Sequence, residues 1–189
     1  MKTKWMISSL AMALCLTLAA CGGPSASNTG SVSSAPSAQS AVSQESQSAS
    51  DGPSFADGVL TCEDYTIAIT DYRVIQPGQE GNEYGEKPVI AFWYDTTNTG
   101  AESDLNASTA WILVFEAVQD NDPNVVNTLN VGMLPDDQYL DSQLQSIKVG
   151  GTVSNAIAYE LDDETTPVTL TAKDILGSEY GSQIFAIAP

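Results

Sequence analysis

The greater part of this 189-residue chain is predicted to be all-β, an antiparallel sandwich or barrel, on three observations. From Asp57 onward, short β-branched and aromatic runs replace a Ser- and Ala-rich stretch. Several of those runs alternate apolar and polar residues with the period of a half-buried strand. Clusters of Gly, Pro, Asn and Asp separate them at the spacing of turns, and no internal repeat is visible.

The elements follow in order. In YTIAITDYRVI, Tyr65, Ile67 and Ile69 alternate with Thr66, Ala68 and Thr70. The phase then slips to Tyr72 and Val74, which predicts a β-bulge near Asp71. VIAFWYDTTN is apolar on both parities from Val89 to Tyr94, as expected of a central strand covered on both sides. AWILVFEAV, residues 110 to 118, is equally apolar, and its β-branched and aromatic content favours strand over buried helix. In LPDDQYLDSQLQ a helical turn or a short helix is expected, with Asp136 and Asp137 in its first turn. TVSNAIAYEL places Val153, Ile157, Tyr159 and Leu161 on one face with Asn155 the polar intruder. PVTLTA groups Val168, Leu170 and Ala172, and QIFAIA supplies the last strand.

The N-terminal end has a different logic. Lys2 and Lys4 precede an apolar core from Trp5 to Leu18, then Ala19 and Ala20, then Cys21. This is the layout of a secretory signal, predicted over 1–20, and its core is shorter than the roughly 20 apolar residues that a membrane-spanning helix needs. LAAC, Leu18 to Cys21, resembles the lipobox of bacterial lipoproteins. That resemblance implies recognition of Leu18, Ala19 and Ala20 by a dedicated signal peptidase, and a diacylglycerol on the sulfur of Cys21. It also implies anchoring at the outer face of the membrane, since two acyl chains anchor stably where one binds reversibly. Gly22 is not acidic, so the retention signal of some Gram-negative lipoproteins is absent. Residues 21–56 are expected to form a disordered tether with a root-mean-square reach of roughly 30 to 35 Å. Its serines are candidate glycan acceptors. The folded domain is expected over 57–189.

Three further motifs sit in the domain: FWYDTTNTG, FEAVQDND and IKVGGTVSNAIAYEL. In that order, behind a lipobox and a Ser-rich tether, they resemble the immunoglobulin-like domains of unknown function in lipoproteins of Gram-positive bacteria. Two details depart from that pattern: Asp120 is followed by NDPN, and Val149 rather than Pro precedes Gly150. The resemblance covers roughly 60–172 and implies an antiparallel immunoglobulin-like β-sandwich outside the membrane. It implies no reaction and brings no catalytic residue set.

Composition narrows the function. The chain has 24 acidic and 6 basic residues, and two of the six leave with the leader. Such a surface repels phosphate backbones, so nucleic acid is not an expected partner. A cationic partner or divalent cations remain open. Histidine is absent, which removes the commonest general base and neutral metal ligand. Paired carboxylates are the raw material of glycan hydrolysis, but so many acids make such pairs unavoidable by chance, and a non-enzymatic domain is expected. Cys15 leaves with the leader and Cys21 is modified, so Cys62 is the sole thiol left and no internal disulfide forms. Cys62, on the strand face of Leu60, is read as a small hydrophobe.

Two candidate sites follow. DNDPN has the spacing of a calcium loop at Asp120, Asp122 and Asn124, but Val125 and Val131 stand where the turn glycine and closing glutamate belong. If strands alternate in direction, loops 76–88, 120–124 and 162–166 meet at one end. Glu80, Glu83, Glu86, Asp120, Asp122, Asp162, Asp163 and Glu164 then gather there as a candidate calcium site. By the same counting Glu102, Asp104, Asp136, Asp137, Asp141, Asp174 and Glu179 collect at the other end, so the gathering is not selective. Tyr84 in NEYGEKP and Tyr180 in SEYGSQ are expected in loops, and Tyr84 is the candidate contact residue for an envelope or extracellular protein or glycan.

Overall fold

The computed structural model describes residues 52–101 and 104–187. The leader, the lipobox with Cys21, Glu102 and most of the tether lie outside the described residues. Within them the chain forms two antiparallel sheets packed as a sandwich. The first sheet has the order β1(Ser54–Ala56), β2(Val59–Thr61), β3(Tyr65–Ile75), β4(Val89–Asn98), β7(Thr152–Glu160). The second has the order β6(Asn127–Thr128), β5(Phe115–Gln119), β8(Val168–Lys173), β9(Glu179–Phe185).

The inner core lies between the sheets and is built by period-two alternation. Ile90, Phe92 and Tyr94 from β4, Ile157 and Tyr159 from β7, and Val168, Leu170 and Ala172 from β8 are all buried. Phe92 packs edge-on against Phe185, with ring centroids 4.9 Å apart, and Trp111 packs on Tyr94 at 4.3 Å. Each such ring removes a large apolar area from water, so this aromatic row supplies much of the stabilisation. β1 begins three residues before the boundary that composition set at 57. Its Phe55 is buried and packs edge-on against Phe115 at 5.0 Å, so the end of the presumed tether belongs to the domain. A single aromatic side chain in a polar stretch carried too little pattern to show this.

Two segments close the sandwich at its sides. Asn130 and Gly132 pair with β7, through Glu160 N–H to Asn130 O at 2.9 Å and Gly132 N–H to Ala158 O at 2.8 Å. On the other side, Gly58 N–H donates to the Gln183 side chain at 2.7 Å, and Gly181 lies against the Phe55 backbone, where a Cβ would clash.

The expected strand over 110–118 is half wrong. Ala107–Val114 is a helix, α1, and only Phe115–Gln119 is strand. Asn106 caps the helix by accepting from Thr109 N–H at 2.9 Å. Ala107, Ala110, Trp111 and Val114 face the core at i, i+3, i+4 and i+7. Ile112 and Leu113, exposed by 54% and 62%, hid that period by filling the outer face with apolar residues.

The bulge expected near Asp71 is present, with the register of β3 on β4 shifting between Ile69 and Asp71. It switches the parity of β3. Before it, Ile67 and Ile69 face inward opposite Thr96 and Tyr94. After it Tyr72 and Val74 face inward, opposite Phe92 and Ile90. Asp71 and Arg73 are thereby turned to the outer face, opposite Trp93 and Ala91. β4 is central, and from Val89 to Phe92 it is buried on both faces as its composition predicts, while Trp93 on the outer face is half-buried. A second, smaller core of Ile75, Val89, Ala91 and Ala158, with Trp93 against it, lies on that outer face. Of the helical turn or short helix expected near Asp136, the chain forms a single 3-10 turn, Asp137–Tyr139, with Asp136 as its cap.

Candidate functional site

Two polar residues of the three sequence motifs, Asn98 and Gln119, are spent on architecture. Asn98, buried, donates to Ala101 O and Ile147 O at 3.0 and 2.8 Å, and accepts from Gly100 N–H and Ala101 N–H. Its backbone pairs with the Gly150 and Gly151 turn. Gly150 has a φ of 79°, the left-handed region that glycine adopts without penalty. Gln119, fully buried, donates to Asp163 O and Thr166 O at 2.9 and 2.7 Å and accepts from Asp162 N–H at 2.7 Å. Both amides pin a loop by satisfying backbone groups that burial would otherwise strand. Asn82 does the same inside loop 76–88, donating to Ile75 O and Lys87 O.

The three acidic loops are tied together. Gln76 donates to Glu164 at 2.7 Å, Asn121 to Asp162 and Asp163 at 3.1 and 2.8 Å, and Lys87 lies 3.8 Å from Asp162. Two of their carboxylates, however, serve their own turns. Asp163 accepts from Thr165 N–H and Thr166 N–H at 2.7 Å each, and Asp122 from Asn124 N–H at 2.7 Å. The Asn121 side chain first, then the backbone donors of Thr166 and Thr165, hold the Asp163 carboxyl well below the usual carboxylate range. Asp120 and Glu86 are exposed on their loops. Among the described residues, no group of three or more Asp, Glu or Cys side chains is close enough together to hold a metal ion.

Glu80 and Glu83 face a different neighbour, and here the counting of ends is corrected. Asp136 and Asp137, assigned by sequence to the opposite end, line the same cleft as Glu80 and Glu83. The physical reason is the segment after β6. It does not return along an end but crosses the outer face of the first sheet, with Pro135 buried beneath Gly81.

This cleft, of about 340 Å³, adjoins a second of about 350 Å³ that reaches Asp71, Trp93 and Tyr139, and Arg73 and Asp136 line both. The Arg73 guanidinium sits over the Trp93 ring, 4.6 Å from its centroid, in cation–π geometry. Trp93 Nε1–H donates to Asp136 at 3.2 Å, and Gln138 caps the same carboxylate from its backbone N–H, also at 3.2 Å. Burial pushes the Asp136 carboxyl up. The Gln138 and Trp93 donors and the Arg73 charge outweigh it, so the group stays below its ordinary value and anionic.

Sequence reasoning missed Arg73 and Trp93. The available signal was that Arg73 is the chain's one arginine and falls just after the phase slip. Tyr84 is in a loop as expected and is 84% exposed, next to Glu83. Tyr180 is not in a loop; it belongs to β9 and packs partly against the inner core. Cys62 is half-buried against that core, where burial raises its thiol pKa against the opposing hydrogen bond of Tyr65.

No helix of the described residues is long and apolar enough to cross a membrane. No curated protein matches the chain. Among solved structures, the chain is similar to a Staphylococcus aureus protein assigned as a lipoprotein. The two share 21% identity over 71% of this chain and 92% of the other, with a TM-score of 0.61, and the likeness is one of fold. Residues 39–174 match the domain of unknown function DUF5067, a match over most of the chain that includes β1 through β8. The chain therefore belongs to the DUF5067 family.

Proposed function

We propose that this protein is a lipid-anchored, extracytoplasmic domain that binds a partner of the cell envelope or its surroundings and does not catalyse a reaction. One observation carries the reading: LAAC at 18–21, behind a basic start and a short apolar core, is the chain's one motif with a defined chemical consequence. The fold shared with the Staphylococcus aureus protein assigned as a lipoprotein agrees with it. So does the use of Asn98, Gln119 and Asn82, which are buried in loop architecture and leave exposed side chains to meet a partner. Anchoring on a tether raises the local concentration of the domain at the membrane face without requiring a tight site.

The test is metabolic labelling with a palmitate analogue. The natural chain takes up label and fractionates with membranes, and Cys21→Ser loses both. Label and membrane association that persist in Cys21→Ser overturn the anchor. For the binding role, the natural chain used as bait in envelope extracts retains a partner that Tyr84→Ala retains less well. Equal recovery removes Tyr84 from the interface.

A further inference from the structure

We propose that the paired clefts around Arg73, Trp93 and Asp136 are a docking surface for a basic segment of a partner protein, whose Lys or Arg side chains enter between Glu83 and Asp137 on one side and the Trp93–Asp136 pair on the other. The proposal deepens the binding reading above and rests on it for the partner's being a protein of the envelope or its surroundings.

Three features argue for it. The first is composition: tryptophan, tyrosine and arginine are the residues that most often dominate the energy of protein interfaces. Trp93, Tyr139 and Arg73 share these clefts, and the exposed Tyr84 adjoins Glu83 at their edge. The second is charge. Asp71, Glu80, Glu83, Asp136 and Asp137 line the clefts against Arg73 alone, so the field there favours a cation and repels an acidic partner. The third is that the site already holds a cation in working geometry. Arg73 lies on the indole face, and Asp136 is fixed by the indole N–H and by the Gln138 backbone, so it is oriented before any partner arrives. Fixed acceptors beside an aromatic face bind a basic side chain with little ordering cost. The bulge in β3 is what aims Arg73 and Asp71 at this face, and the crossing segment supplies Asp136 and Asp137.

The test uses the intact chain in detergent and a fluorescein-labelled peptide of alternating Lys and Ser, read by anisotropy at about 0.15 M salt. Asp136→Asn and Glu83→Gln each weaken binding by about fivefold or more, and Arg73→Gln, which removes the competing cation, strengthens it. Glu179→Gln, an equal charge change at the start of β9, alters it by less than about twofold. Glu83 is exposed, so its variant reports on binding even if Asp136→Asn loosens the crossing segment. Equal weakening by Glu83→Gln and Glu179→Gln, or no binding of the peptide, overturns the proposal. So does Trp93-dependent binding of a glucosamine oligosaccharide without binding of the peptide, which makes the clefts a glycan site. None of these outcomes depends on the lipid, so failure here is distinguishable from failure of the anchor.

Discussion

The two faces of β4 differ in what covers them. Its inner side chains are all buried, Ile90, Phe92 and Tyr94 in the core shared with the second sheet and α1, and Asn98 against the loops at Ala101 and Ile147. Its outer face grades from buried Val89 and Ala91 through half-buried Trp93 and Asp95, under a crossing segment rich in polar residues. The inner face therefore carries the fold. The outer face is only partly covered, and the cover is attached by a few hydrogen bonds, which is where the chain can spare side chains for recognition.

Substitutions sharpen this contrast. Trp111→Ala, which empties the middle of the aromatic row, is expected to cost about 3 to 5 kcal/mol by urea denaturation. Gln119→Ala comes next. It leaves the backbone groups of residues 162 to 166 without their buried partner, at about 2 to 3 kcal/mol, and it loosens that loop in hydrogen exchange. On the outer face the effect shrinks. Trp93→Phe keeps a ring but loses the donor to Asp136, at about 1 kcal/mol, and speeds exchange of the Gly132 amide where the crossing segment leaves β7. A larger cost for Trp93→Phe than for Gln119→Ala breaks the comparison.

Two conditions probe the loops. The Asp163 carboxyl titrates below its unfolded value in the folded chain, so its contribution is present above about pH 3.9 and is lost as pH falls through the lower folded value. The Thr165 and Thr166 amide resonances are expected to hold down to that range and to move only below it. A midpoint near pH 4 or above removes the turn assigned to Asp163. The smallest effect concerns calcium. Because Asp122 and Asp163 already serve their own turns, millimolar calcium is expected to leave Tm unchanged. A rise revives the calcium reading of the loops, since binding to the folded state must raise stability.

The candidate site was less legible than the fold, and particular residues show why. The alternation of Tyr65 to Ile75 and of Val168 to Ala172 is a local property, and it survives into β3 and β8 unchanged. Trp111 and its helix were misread because Ile112 and Leu113 make both faces of the run apolar, and only the presence of a core on one side decides which face is used. Glu83 and Asp136 are more than fifty positions apart, and nothing local indicates that the chain after β6 crosses the sheet.

What the amino-acid order determined by itself is the longer strands β3, β4, β7 and β8, the bulge in β3, the acidic surface and the Cys21 motif, since each depends on neighbours within a turn or a strand. The tertiary structure alone decided that residues 107 to 114 coil into a helix, that Phe55 joins the core, and that Arg73, Trp93 and Asp136 meet. Those outcomes depend on which distant surfaces are available to bury against, and that is settled only when both sheets are in place.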